Sequence, residues 1–409
     1  MSSFGKRIDL DAADETYSAA DVAVLGDVVV TAWTYGGPYR SSPTFYLRAC
    51  RPSEGRLGPT MDLTPGPGYA YVPVHLVEMD NSIWMSVQFC EEKLIKLARL
   101  TLDDLEINIT WMAEVAIDDS YNCWLARYKS WLVLGTNCGN PGDPSDPDQQ
   151  KYSQFYLFDQ EGMLIDQTAA PIITEPYTEW LDTVVVNQYT DQILTACAVY
   201  QSGYSETLWT MPISGTGFGS WTQGPNLYSD YARWITGIGT PGGWHLMSCP
   251  RGPAYAEAIT LDSSLNRRGS GIVTEEPFAY YDDEFAKMYD ICLNAGKVAY
   301  ACIQYGGAPG VSGFVFAVGN IDAATPIDQV TTIPKSENWY YAYDTRLAAL
   351  GDHWAYLVGA YTPGINIPVP GALEPYQHSI WEASADDTQF VAEPIYEQVG
   401  GRSTFRRPR

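Results

Sequence analysis

From Asp21 to Trp33 the chain reads DVAVLGDVVVTAW, two short apolar blocks on either side of the polar pair Gly26-Asp27. Apolar runs flanking two residues that tolerate positive φ predict a β-hairpin. The same arrangement returns as VHLVEMDNSIWMSV around Asp80-Asn81, CWLARYKSWLVLG around Lys129-Ser130 and VVVNQYTDQILTACA around Thr190-Asp191. It returns again as ITGIGTPGGWHLMSC around Gly242-Gly243, DICLNAGKVAYACI around Gly296-Lys297 and TRLAALGDHWAYLVG around Gly351-Asp352. With turns starting at 26, 80, 129, 190, 242, 296 and 351, the steps are 54, 49, 61, 52, 54 and 55 residues. A period near 50 residues marks a repeat architecture.

Each hairpin is followed by a third run in which polar and apolar residues tend to alternate, as in a half-buried strand. These runs are TFYLRAC (44–50), KLIKLARL (93–100), SQFYLFD (153–159), SETLWTMP (205–212), AYAEAITLD (254–262), GFVFAVG (313–319) and HSIWEAS (378–384). A weaker fourth run, rich in Pro, Thr and acidic residues, comes next, as at 61–64, 113–117, 171–174, 271–274 and 329–333. Such strands suit an outer edge, where charge and a missing N–H discourage further pairing. Four antiparallel strands per unit, strongest innermost, predict an all-β fold of propeller blades. The chain divides into one domain over 1–400, with blades near 21–64, 74–117, 122–174, 181–227, 234–275, 289–334 and 344–397, and a basic flexible tail over 401–409. RIDLD at 7–11 and FVAEPIY at 390–396 compete for the last fourth strand. One closes the ring, and the other is left to cover an edge or reach a neighbour.

In repeat length and strand order, over nearly its whole length, the chain resembles the seven-bladed β-propeller superfamily. The Trp-Asp ending, the Ser-x-Asp-x-Gly-x-Thr-Trp box and the kelch double glycine are missing, so the resemblance implies a fold and no activity. By analogy of fold, propellers in virion tails, nozzles, fibres and decorations imply a structural role, with other protein subunits as partners and attachment to a host surface.

Composition narrows the classes further. The 409 residues are 45% hydrophobic and include 13 Trp, 29 Tyr and 12 Phe, ample material for a core. A formal net charge of −25, from 49 acidic and 24 basic residues, disfavours nucleic acid as the main partner. MSSFGKRIDLDAADE lacks the apolar centre of a secretory signal, and no run of about 18 apolar residues occurs. The expectation is therefore a protein made in the cytoplasm, without membrane insertion, and virion-associated if the analogy holds. Of eight cysteines, Cys90, Cys138, Cys197, Cys249 and Cys302 recur near the ends of second strands and read as reduced packing residues.

Candidate chemistry gathers where outer strands lead into the next inner strands, on one face of a propeller around the channel mouth. These segments hold Trp180, Trp234, Phe278, Tyr280, Tyr281, Asp282, Asp283, Trp339, Tyr340 and Tyr341. Aromatic faces take the apolar side of a sugar ring and carboxylates take its hydroxyls, making these the candidate ligand-binding residues for a surface polysaccharide. The alternative is one aromatic wedge per loop, packing neighbouring blades. Asp21, Asp182, Asp290 and Asp344 stand just ahead of inner strands as channel-mouth carboxylates. A pair about 5 to 9 Å apart would serve glycoside hydrolysis; short acids equally accept backbone N–H bonds and fasten blades together. Four look-alike positions favour fastening.

His245 and His353 follow turns in equivalent hairpins and read as structural, and no metal or cofactor is expected. No nucleophile elbow, phosphate loop or dinucleotide fingerprint occurs. Two long insertions, 139–151 and 362–377, project as loops. Arg402, Arg406, Arg407 and Arg409 in the tail suit an acidic partner surface. The expectation is a non-enzymatic structural and binding propeller that assembles with other proteins. The alternatives are a carbohydrate-binding lectin and, behind it, a propeller glycoside hydrolase.

Overall fold

The structure, a computed structural model, describes residues 3–10, 18–35, 44–63, 74–89, 93–117, 120–138, 152–169, 178–200, 204–228, 232–250, 255–274, 289–305, 311–322, 326–334, 342–361, 376–384 and 394–395. The hairpin turns form where the sequence puts residues that accept a left-handed backbone. Asp80 and Asn81 have φ of 50° and 59°, Ala295 and Gly296 have 47° and 75°, and Gly351 has 59°. Positive φ at both central residues gives the turn whose twist matches the paired strands. The Thr190-Asp191 site differs, because Asn187 pairs with Gln192 and four residues fill the turn.

The described strands form seven sheets; six are antiparallel and run in chain order from the hairpin outward, and the seventh does so for its first three strands. Their first strands are Ser18–Leu25, Val74–Met79, Ser120–Tyr128, Thr178–Asn187, Ala232–Thr240, Tyr289–Asn294 and Ala342–Leu350. Each first strand lies against the first strand of the next sheet, and the last lies against the first. The hairpins thus surround a common axis, with four-stranded blades in a propeller arrangement. Six apolar clusters fill the spaces between sheets. Sheet six, whose second and third strands are buried through Val298–Ile303 and Phe314–Val318, shares one cluster with both of its neighbours.

Both terminal segments join sheet seven. Ser3–Asp9 pairs antiparallel with Tyr376–Ser384, placing Ile8 opposite Ile380. Pro394–Ile395 then pairs parallel with the same N-terminal strand. The N-terminal segment therefore completes the sheet as its fourth strand, and the C-terminal one covers the edge it leaves. Buried Arg48 of sheet one fixes the crossing by donating to the carbonyl oxygens of Leu10 and of Gly58, the latter at 2.9 Å.

The outer strands depart most from expectation. In sheet two the outer strand is Glu106–Ala116, beginning directly after the tight turn at Asp104, well before 113. In sheet three it is Leu164–Ala169, and 171–174 lie outside the described residues. The Asp159 carboxylate accepts the N–H groups of Glu161 at 3.0 Å and Met163 at 2.8 Å, which closes the turn early. In sheet one the edge is split into Arg56–Leu57 and Met61–Asp62.

Candidate functional site

Counting back four residues from the end of each first strand brings one set of side chains together. Asp21, His75, Asp290 and Arg346 hold this place in sheets one, two, six and seven, which are consecutive around the ring. Asp290 accepts Ile291 N–H at 2.9 Å and, across the seam, Leu347 N–H at 2.7 Å. Asp21 repeats this geometry, accepting Val22 N–H and the next sheet's Leu76 N–H, both at 2.9 Å. Between them, buried Arg346 donates to Tyr289 O at 3.1 Å, Thr345 O at 3.2 Å and Ala20 O at 3.3 Å, and its Nε lies 3.5 Å from Asp21 Oδ1. His75 Nδ1 stands 3.7 Å from Asp21 Oδ2. Each of the two carboxylates thus fastens its own sheet to the next.

Burial pushes the Asp290 carboxyl up to about 6, with Arg346 pulling it back and Asp21 adding to the rise. A carboxyl tuned toward neutrality beside an arginine is the profile of an acid–base group. Here, however, both oxygens already accept backbone N–H bonds.

All four candidate carboxylates lie inside their strands. Asp182 falls in Thr178–Asn187, where the pairing shifts between Leu181 and Thr183, and Asp344 falls two residues before the Arg346 place. Trp180 and Trp234 also belong to first strands, the latter in Ala232–Thr240. Phe278, Tyr280, Tyr281, Asp282, Asp283, Trp339, Tyr340 and Tyr341 lie outside the described residues, as do Arg402, Arg406, Arg407 and Arg409. His245 and His353 are not equivalent. Buried His245 bonds Tyr300 Oη at 2.9 Å and Ile321 O at 3.1 Å, and burial lowers its pKa, whereas His353 is the first residue after its turn. Cys50 is a buried free thiol raised to about 12, an apolar packing group.

Sequence reasoning missed the rim. Between the outer strands of sheets two and three lies an open cleft of about 570 Å³ lined by Met112, Val115, Phe158, Leu164, Tyr156 and Gln154, among others. Beside it Trp111 is 45% exposed, Met163 66% and Leu164 49%. Large side chains of this kind grouped at a surface mark an interaction site. Trp111 also meets Phe89 edge-on, with ring centroids 6.3 Å apart. The available signal was TWM at 110–112 and GMLI at 162–165, apolar residues between the third and fourth runs of their repeats.

No protein-family model matches the chain, and no curated protein matches it in sequence. Solved structures match its shape. The phage phi92 endosialidase superposes with a TM-score of 0.51 at 9% identity, over 98% of this chain and 72% of that one. An acylaminoacyl peptidase from Pyrococcus horikoshii gives 0.50 at 10% identity, over 91% of this chain and 53% of the peptidase. The β-propeller domain of the Trilobed protease from Pyrococcus furiosus gives 0.49 at 10%, over 92% and 98%. The first two likenesses support the class already visible in the sheets, a β-propeller. At such identities they carry the fold alone.

Proposed function

We propose that this chain is a non-enzymatic structural and binding propeller that assembles with other protein subunits through its rim. The observation that carries this reading is the open cleft between sheets two and three, lined by exposed Leu164, with Trp111, Met163 and Ile165 exposed next to its lining residues along the chain. The fastening geometry at Asp21 and Asp290 supports it, since those carboxylates are engaged in holding sheets together. A virion component, such as a tail, nozzle, fibre or decoration protein, is the setting we propose. Its support is analogy of fold, to which the likeness to a phage endosialidase adds shape but no activity. To test the reading, the purified chain is compared with Leu164→Asp and Trp111→Ala variants by light scattering across protein concentration. Assembly that weakens in the variants supports it, and a strict monomer at every concentration opposes it.

Attachment to a host-surface polysaccharide is the second reading, favoured by the aromatic and acidic sequence at 278–283 and 339–341. Retention on bacterial surface polysaccharides, lost on Tyr280→Ala and Tyr281→Ala without a change in Tm, would support it. New reducing ends in the same incubation would point instead to a glycoside hydrolase.

A further inference from the structure

We infer that the rim cleft between sheets two and three receives residues 400–409 of a second copy of this chain, with Phe405 as the apolar anchor and the flanking arginines as its charged clamp. The inference rests on the assembly reading and names the partner.

The receiving side has three matching properties. Its floor is apolar, through Met112, Val115, Phe158 and Leu164. Its charge is negative: Glu114 lies in the wall, and Asp159 and Glu161 stand in the adjoining turn. Lys96, on the neighbouring strand, pairs with Glu114 at 3.7 Å and lies over the Phe89 ring. Finally, among the described residues Glu106–Ala116 pairs along one edge only, with Leu94–Asp103, and its residues 112–116 line the cleft. An extended peptide can add to such an edge through main-chain hydrogen bonds while its side chains enter a neighbouring pocket.

The arriving side is complementary. GGRSTFRRPR holds four of the chain's 24 basic residues, one aromatic and no acid, in a protein of net charge −25. Pro394–Ile395 pairs at the outer edge of sheet seven, so the chain leaves the structure from the rim. Residues 396–409, fully extended, reach about 45 Å, enough to project beyond their own sheet. A donor segment and an acceptor cleft at different places on one surface make a heterologous contact, which propagates into a ring or a filament.

The test uses a fluorescein-labelled peptide of residues 400–409 and the chain lacking them, with anisotropy as the readout. Expected are saturable binding, at least tenfold weaker affinity for the Phe405→Ala peptide and for Glu114→Lys or Leu164→Asp protein of unchanged Tm, and weakening as salt rises. Equal binding of a scrambled peptide overturns the inference. Light scattering supplies the second arm, in which removing 400–409 should abolish assembly of the full chain. Assembly that persists without the tail leaves the broader reading standing and removes this one. A full-length monomer whose cleft refuses the peptide, beside a truncated chain that accepts it, places the tail in its own cleft and overturns the second-copy assignment.

Discussion

Asp290 is held by two backbone N–H bonds and an arginine, yet burial dominates and its carboxyl titrates near 6, above its ordinary value of 3.8. The sign follows from linkage. Between about pH 4 and 6 the folded chain keeps a proton that the unfolded chain has released, so this group's contribution to stability falls as pH rises through that window. Asp290→Asn cannot titrate. The unfolding free energy of wild type relative to this variant should therefore drop by about 2 kcal/mol from pH 4 to pH 7, measured by urea titration at each pH. A difference flat in pH would mean that the carboxyl is not buried as described. For Asp21 the cost lies in its partners. Asp21→Ala orphans Leu76 N–H and removes the acid beside Arg346, and should lower stability by about 1 to 3 kcal/mol. The role of these acids was half legible in the sequence. Fastening was foreseen, but Asp182 and Asp344 were grouped with Asp21 and Asp290 because strand starts were misplaced. Counting from the hairpin turn, which Gly26 or Asp80-Asn81 pins by positive φ, would have placed Arg346 and His75 with the pair.

Hairpins and third strands were readable because burial imposes apolar content and alternation on them. Outer strands were harder to place, since Leu164–Ala169 buries no residue fully and the alternation in Glu106–Ala116 is broken by the register shift between Trp111 and Ala113. The closure was legible only in part: RIDLD and FVAEPIY look alike, and nothing local shows which completes the sheet and which covers its edge, or that the first pairs antiparallel and the second parallel. Deleting residues 1–9 removes the middle partner of both contacts and should lower Tm by several degrees or prevent folding, whereas deleting 396–409 should leave Tm nearly unchanged by calorimetry. Equal loss in both would contradict the assigned strand order. Close approach of first strands sets another limit. A Cβ at Gly239 would stand 2.3 Å from Asn187 Cα, while Asn187 Nδ2 donates to Thr240 O at 2.9 Å and Gly243 O at 2.8 Å. Gly239→Ala should therefore destabilise by about 1 to 3 kcal/mol in chemical denaturation.

At the scale of the whole molecule, the repeat makes neighbouring sheets bury one another and leaves function to what breaks the repeat. Fasteners at the axis recur from sheet to sheet, as Asp21 and Asp290 do. The rim at Trp111 and Met163–Ile165 has a different character: large apolar side chains are exposed there next to the residues of an open cleft whose lining includes Glu114. It was illegible in the sequence because recognising it requires two outer strands to be placed side by side. The most direct test of the account is the mass of the purified full-length chain in solution, recorded by light scattering from low to high micromolar concentration beside Leu164→Asp. Assembly through the rim predicts a defined particle larger than one chain for the wild type and a monomer of unchanged Tm for the variant. A wild-type chain that stays at 45.3 kDa throughout, or an assembly indifferent to Leu164→Asp, would contradict it.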